Sequence, residues 1–151
     1  MHIVLFEPEI PSNTGNISRT CAVAGLTLHL IKPLGFSLAD RYLKRAGLDY
    51  WDKLDLRIHE NFESFLAENP DANLYMFSTH AEANYADVSY RFDDYLVFGP
   101  ETRGLPPEIR DGYGKAVRIP MGREIRSLNL SNSVAIAAYE ALRQLGFPHL
   151  V

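Results

Sequence analysis

The chain has 151 residues, of which 46% are hydrophobic and 23% are charged, and its formal net charge is −4. This length suits one domain with one core, and the composition excludes an intrinsically disordered chain. The acidic balance excludes a general attraction to nucleic acid or anionic membranes, so such a partner would need a local basic patch. With one cysteine, no apparent secretory signal and no apolar run near the roughly 20 residues of a membrane span, we expect a cytoplasmic protein without a membrane partner.

Short β-prone runs alternate with helical patterns along the chain. The runs that predict strands are residues 2–6, 27–31, 56–58, 74–78, 95–99 and 116–120. The patterns that predict helices are residues 14–24, 38–46, 62–68, 107–110 and 132–145. Several of these helices are followed by glycines in the position that ends a helix, namely Gly25, Gly47 and Gly146. This alternation predicts a single α/β domain over residues 1–151, with a mostly parallel sheet flanked by helices.

Four loops that follow predicted strands are long and rich in glycine, proline and small polar residues. They are EPEIPSNTGN, STHAEANY, GPETRGLPPE and MGREIRSLNLSNS. Ligands of open α/β sheets bind at the carboxyl ends of the strands, so we expect the functional site in these loops. None contains a Walker A motif, a dinucleotide-binding glycine pattern or a hydrolase nucleophile elbow. The five histidines are scattered without metal-ligand spacing, and no metal site is expected.

The first loop leads into a helix that offers an anion site. On a helix beginning near Thr14, Asn16 and Arg19 lie on a different face from the apolar residues Ile17, Cys21 and Ala24. Gly15 allows close backbone approach at the helix start, where free N–H groups suit an anion such as an RNA phosphate. The alternative is an ordinary helix cap at Asn13 with a solvated Arg19.

Glu101 lies between Pro100 and Thr102, directly after the predicted fifth strand. Its carboxylate could orient a ligand, or it could accept hydrogen bonds from nearby backbone N–H groups. The sequence leaves both interpretations open.

The last predicted helix has two faces that suit burial. Its main apolar stripe comprises Val134, Ala137, Ala138, Ala141, Leu142 and Leu145. A second face carries Ile136, Tyr139 and Arg143, which predicts that the sheet covers one side and a partner subunit the other. The alternative is that Tyr139 is an edge aromatic with a buried ring and a solvated hydroxyl.

Three of these segments, in this order, resemble the motifs of the SPOUT superfamily of S-adenosylmethionine-dependent RNA methyltransferases. NTGNISR (residues 13–19) is similar to the first motif, FGPETRGLP (98–106) to the second and IPMGREIRSLNLSNSVAIAAYEALRQLG (119–146) to the third. Each motif is weak alone, whereas the ordered set is highly specific. Together with IVLFEPEIPSNTGNISR and KRAGLDYW, the resemblance extends over nearly the whole chain to the TrmL type, which methylates the ribose 2′-hydroxyl of the tRNA wobble nucleotide.

This resemblance implies a C-terminal trefoil knot, which general folding rules would exclude. It also implies a homodimer whose active site is completed across the interface, with Ile136, Tyr139 and Arg143 in that interface. S-adenosylmethionine would bind in a bent shape in the knot loops, and no metal is needed. Carried over by motif, the residues that bind this methyl donor are Phe77, Gly99, Ile119, Ser127, Leu128 and Ser133.

The resemblance further implies the residues that carry out methyl transfer. Arg19 would contact the target nucleotide and help to activate its 2′-hydroxyl. Because arginine stays protonated, fixing the phosphate and lowering the hydroxyl pKa is a more plausible role than general-base catalysis. The residues that would arrange donor and acceptor are Asn16, Glu101, Ser127 and Asn129, while Ser131 or Asn132 would cap the last helix.

The expected substrate is cytidine or uridine 34 in the anticodon stem-loop of tRNA, in leucine isoacceptors. Many SPOUT enzymes have an appended RNA-binding domain; we expect none here, so the dimer itself would recognise the RNA. Candidate phosphate contacts, in addition to Arg19, are Arg41, Lys44, Arg45, Arg123 and Arg126. The alternatives are methylation of another tRNA or ribosomal RNA ribose, or a non-catalytic RNA-binding domain of the same fold; the intact Asn16, Arg19, Glu101 and Ser127 argue against the last.

Overall fold

The fold is given by a computed structural model, in which residues 1–39 and 50–151 are described. The predicted helix 38–46 lies almost entirely outside these residues. Three of the candidate RNA contacts also lie outside them, namely Arg41, Lys44 and Arg45.

The described residues form a single sheet of six parallel strands. In chain order these are β1 (His2–Phe6), β2 (Thr27–Ile31), β3 (Asp55–His59), β4 (Leu74–Phe77), β5 (Tyr95–Phe98) and β6 (Lys115–Val117). Their order across the sheet is β3-β2-β1-β5-β4-β6, and every pairing is parallel. All six predicted strands are therefore confirmed, and the sheet is fully parallel where a mostly parallel one was expected.

The sixth strand is shorter than its prediction because the chain leaves β4 after Val117. Ser78 donates its backbone N–H to the carbonyl of Val117 at 3.0 Å, the last such contact on this edge. Arg118 then pairs with the loop after β4, through backbone hydrogen bonds to Ala83 at 2.8 Å and from Tyr85 at 2.9 Å. Residues beyond Arg118 are thereby directed towards the carboxyl end of the sheet.

Four α-helices of the described residues pack on the two faces of this sheet. They are α1 (Pro11–Ala24), α2 (Phe62–Glu68), α3 (Pro107–Gly112) and α4 (Leu130–Gln144), and single 3₁₀ turns occur at Trp51–Lys53 and Tyr85–Asp87. The predicted start of α1 at Thr14 was wrong, because Pro11 occupies the first helical position, where its missing N–H costs nothing. The prediction for α4 began two residues late, because Asn129 caps it.

Alternation along the strands divides the core into two layers. Ile3 and Leu5 point to the side covered by α1 and α4, whereas Val4 and Phe6 point to the side covered by α2 and α3. Predicted stripe residues of α1 and α4 such as Ile17 are buried in the first layer. No helix among the described residues is long and apolar enough to cross a membrane.

Candidate active site

A cavity of about 470 Å³ opens at the carboxyl ends of β1, β4, β5 and β6. Its volume lies in the range of small-molecule sites. The loops after these strands and the first turn of α4 form its walls, as the sequence predicted from the position of its polar loops. All six residues predicted to contact the methyl donor line it, namely Phe77, Gly99, Ile119, Ser127, Leu128 and Ser133.

Glu101 uses its carboxylate to hold the chain at the start of α1. Its Oε2 accepts the backbone N–H of Glu9 at 2.8 Å, and its Oε1 accepts that of Ile10 at 3.1 Å. No side chain of the α1 segment itself caps this helix, and a negative charge is favourable beside a helix N-terminus. The structure thus confirms that Glu101 accepts hydrogen bonds from nearby backbone N–H groups, which was one of the two interpretations of this residue. The other interpretation, that Glu101 orients a ligand, stays a prediction.

Asn13 connects Glu101 with the start of α4. Its side chain is buried, its Nδ2 donates to Glu101 Oε1 at 3.2 Å, and its Oδ1 accepts from Asn129 Nδ2 at 3.0 Å. We call Glu101, Asn13 and Asn129 the polar bridge. Its members lie in the second, first and third motif segments respectively, so the bridge joins the three loops that surround the cavity.

Asn129 also caps α4, which corrects the prediction that Ser131 or Asn132 would do so. The Oδ1 atom of Asn129 accepts the backbone N–H groups of Ser131 at 2.9 Å and Asn132 at 3.3 Å. An asparagine at the N-cap satisfies helix N–H groups that would otherwise lack a partner. Asn129 still lines the cavity, as expected, but its amide group is occupied by Asn13 and the helix.

The structure distinguishes Asn13 from Asn16, which the sequence had selected as the functional asparagine of the first motif. Asn16 is exposed and outside the cavity lining, and its carbonyl accepts a hydrogen bond from Thr20 Oγ1 at 3.2 Å. Asn13 is the third residue of α1 and not its cap. The signal that could have found it is Pro11, since a helix beginning there places Asn13 in the turn nearest the sheet.

Arg19 lies on the exposed side of α1, outside the cavity lining. It follows Asn13 by six helical residues, which moves it about 9 Å further along the helix axis. Its guanidinium carbon is 4.8 Å from the centroid of the Tyr50 ring. Arg19 is therefore separate from the polar bridge, and its own chain does not place it in the cavity wall.

Two further contacts join the loop after β1 to the loop after β5. Arg103 forms an ion pair with Glu7, and Thr102 Oγ1 donates to Glu9 Oε1 at 2.8 Å. Arg103 also lines the cavity, as does His80 in the loop after β4. Sequence reasoning missed Arg103 and His80, although both lie in loops that it had selected as polar and unusual.

The segment between β6 and α4 is exposed beside the cavity. Arg123 and Arg126 are exposed there, as candidate phosphate contacts should be. Ser127 and Leu128 form part of the cavity wall. This side of the cavity is thus bordered by two arginines, with Glu124 between them, whereas on the bridge side the Glu101 carboxylate is satisfied by hydrogen bonds from N–H groups.

The predicted second face of α4 is exposed. Ile136 and Tyr139 retain 38% and 41% of their accessible surface, and the nearby Phe147 retains 40%. The Tyr139 and Phe147 ring centroids lie 6.4 Å apart, and Arg143 donates two hydrogen bonds to Glu140. The face therefore combines uncovered apolar surface with a charged edge.

The chain belongs to the SpoU rRNA methylase family, whose sequence pattern matches residues 1–139. It is 52% identical to the tRNA (cytidine(34)-2′-O)-methyltransferase of Yersinia pestis over 155 residues, covering 98% of this chain and 96% of that protein. A solved structure reported as "Structural insights into the 2-OH methylation of C/U34 on tRNA" is 51% identical, with a TM-score of 0.93 over 96% of this chain and 95% of that chain. An AdoMet-bound rRNA methyltransferase from Sinorhizobium meliloti is 25% identical, with a TM-score of 0.86 over 95% of this chain and 56% of that chain.

These similarities confirm the predicted relationship to the SPOUT methyltransferases and the α/β fold. Membership of the family also implies the trefoil knot that was expected for the C-terminal third. The segment from β6 through residues 121–129 to α4, which forms one wall of the cavity, belongs to that third.

Proposed function

We propose that the protein transfers the methyl group of S-adenosylmethionine to the ribose 2′-hydroxyl of cytidine or uridine 34 of tRNA. The observation that carries this proposal is the polar bridge, which joins the three motif segments around one cavity. Relatives that match nearly the whole chain at about half identity are named for this activity, which supports the same substrate and reaction here.

The residues of the cavity fit the methyl donor. Apolar side chains of Phe77, Ile119 and Leu128 can cover its adenosine, and the hydroxyls of Ser127 and Ser133 can bond its polar groups. A Cβ atom at Gly99 would lie 2.2 Å from the backbone nitrogen of Leu105, so the glycine keeps this wall closely packed. The donor supplies an electrophilic methyl group on a sulfonium, and the reaction needs an in-line approach by the acceptor oxygen.

Arg19 acts on the acceptor in this proposal. Its guanidinium stays protonated, so it fixes the phosphate of the target nucleotide and lowers the pKa of the 2′-hydroxyl, which makes that oxygen a better nucleophile. Since its own chain does not place Arg19 in the cavity wall, we propose that the site is completed in a homodimer. The exposed Ile136, Tyr139 and Arg143 face supports that assembly.

The RNA partner is proposed to be the anticodon stem-loop, with leucine isoacceptors as the expected substrates. Exposed Arg123 and Arg126 beside the cavity supply local positive charge of the kind that an acidic chain needs to bind RNA. We further propose that residues 1–151 work as one domain in the cytoplasm, where tRNA is found, and that the dimer surface recognises the RNA directly.

The test is methyl transfer from labelled S-adenosylmethionine to tRNA purified from a strain that lacks this gene. Nuclease digestion and mass spectrometry then locate the methyl group. We expect label on the ribose of nucleotide 34. Label on a base would refute the mechanism, whereas label on a ribose elsewhere in tRNA or ribosomal RNA would refute only the proposed substrate.

A further inference from the structure

Arg19 contacts an aromatic ring, whereas several other arginines of this protein contact carboxylates. Arg57 bonds Asp55 through two nitrogens, and Arg110 and Arg143 do the same with the neighbouring acids Asp111 and Glu140. The α1 sequence around Arg19, PSNTGNISRTCAVA, contains no acidic residue. Within residues 1–39 and 50–151, the contact found for its guanidinium is the face of Tyr50, at 4.8 Å from the ring centroid.

The kind of partner that an arginine contacts determines whether its N–H donors and its charge remain available to another group. A bidentate carboxylate occupies two of the five N–H donors of an arginine and neutralises its charge. The face of an aromatic ring attracts the cation without accepting those in-plane donors. Stacking on Tyr50 therefore orients Arg19 while leaving its donors and its charge available for a phosphate or a hydroxyl.

Tyr50 is held by its own backbone surroundings. Its carbonyl accepts the backbone N–H of Lys53 at 3.0 Å, in the 3₁₀ turn Trp51–Lys53, and this turn packs against α1. Leu54, the residue after this turn, packs against the core layer that contains α1, and β3 begins at the following residue. The Tyr50 ring and the helix that carries Arg19 are thus fixed to the same framework.

We propose that Tyr50 is a positioning residue for methyl transfer, whose ring holds the Arg19 guanidinium in the orientation that meets the target nucleotide. This proposal rests on the role given to Arg19 in the proposed function. Because the stacking uses the ring face, the Tyr50 hydroxyl contributes nothing to it. A phenylalanine at position 50 should therefore preserve the orientation of Arg19, whereas an aliphatic side chain of similar size should not.

The first test compares Tyr50→Phe with Tyr50→Leu in methyl transfer to tRNA from the gene-deletion strain. We expect Tyr50→Phe to retain kcat/KM for tRNA within about twofold, and Tyr50→Leu to lose roughly tenfold. Affinity for S-adenosylmethionine should be unchanged in both variants, because neither alters the cavity wall. An equal loss in both variants, or a loss of donor affinity in Tyr50→Leu, would overturn the proposal.

The second test detects the stacking without any activity measurement. In a ¹H–¹⁵N spectrum of the full chain, the Arg19 Nε–Hε signal, assigned by its disappearance in Arg19→Lys, should be displaced by the ring current of Tyr50. The displacement should persist in Tyr50→Phe and vanish in Tyr50→Leu; an unchanged signal in Tyr50→Leu would contradict the proposal. A displaced signal in a protein that transfers no methyl to tRNA would instead refute the proposed function, and with it the catalytic purpose of the stacking.

Discussion

The polar bridge and a second polar cluster differ in what they join. The bridge connects side chains that are 88 and 116 residues apart in the sequence and lie in the three motif segments around the cavity. The second cluster consists of His2, His29 and His59 on the adjacent strands β1, β2 and β3, and we call it the histidine chain. His2 Nδ1 lies 3.0 Å from His29 Nε2, and His29 Nδ1 lies 2.9 Å from His59 Nε2.

The protons of the histidine chain can be assigned from its far end. His59 Nδ1 lies 3.1 Å from Glu68 Oε2, at an angle too poor for a good hydrogen bond. A carboxylate nevertheless attracts a proton to the facing nitrogen, so His59 carries its hydrogen on Nδ1 and accepts at Nε2. His29 and His2 must then donate from Nδ1 as well. The Glu68 carboxylate therefore sets the direction of both hydrogen bonds between the histidines.

The position of each polar cluster determines whether its loss affects methyl transfer or stability. The polar bridge fixes loops whose relative placement shapes the cavity, so its loss should act mainly on methyl transfer. The histidine chain fixes neighbouring strands that are already paired along their length, so its loss should act on stability. Four predictions test this division, beginning with the largest expected effect.

Arg19→Ala should reduce methyl transfer at least about a thousandfold, because it removes the charge that positions the acceptor. Affinity for S-adenosylmethionine should stay within about twofold of the original, since Arg19 is outside the cavity lining and the bridge. Steady-state transfer and calorimetric titration of the donor measure the two quantities. A large loss of donor affinity would show that Arg19 helps to form the donor site, which would contradict its assignment to the acceptor.

Asn129→Ala and Asn61→Ala form a matched pair of variants. Both asparagines are N-caps, and only Asn129 also belongs to the polar bridge. Each variant should lose about 1 kcal/mol of unfolding free energy. Asn129→Ala should also slow methyl transfer roughly 100-fold, because small displacements of a site wall are costly. Denaturant unfolding and transfer rates are compared; equal rates in the two variants would remove the bridge from the mechanism.

Stability should fall in acid because of the histidine chain. Burial, together with neighbouring positive charge, lowers the pKa of His2 to about 4 and that of His29 to about 3. The folded protein thus resists protonation that the unfolded chain accepts below its ordinary pKa of about 6.5, so stability is complete above pH 6.5 and decreases as the pH falls below it.

For the buried His29 the loss can reach about 1.4 kcal/mol per pH unit, and for the half-buried His2 it should be smaller. Denaturant unfolding between pH 7.5 and 4.5 measures this slope. His29→Gln should flatten it, and His149→Gln, at an exposed position, should leave it unchanged. A slope that survives in His29→Gln would assign the acid sensitivity to other groups.

Glu68→Gln should have the smallest effect. Most of the Glu68 side chain is exposed, so we expect a loss of less than about 1 kcal/mol at pH 7. Methyl transfer should be unaffected because neither His59 nor Glu68 lines the cavity. The ¹⁵N signals of His59 report the tautomer directly, and an Nε2–H form in the unsubstituted protein would contradict the assignment.

Periodicity was sufficient to predict the sheet and most of the helices. Strands such as β1 and β2 were predicted to the residue, because buried parallel strands are short apolar runs bounded by turn signals. The errors lie where side chains bond across loops. Asn129 was not selected as the cap because Ser131 and Asn132, which follow it directly, are also residue types that favour the N-cap position. Its bond to Asn13 spans 116 residues and leaves no local pattern. The histidine chain escaped prediction for the same reason.

The most direct test of the account uses a tRNA assembled with either cytidine or 2′-deoxycytidine at position 34. The two RNAs differ by one oxygen, which is the proposed acceptor of the methyl group. We predict that the protein methylates the cytidine form at that ribose, and that it binds the deoxy form with similar affinity but transfers no methyl group to it. Methylation of the deoxy form to the same extent would contradict the proposed reaction.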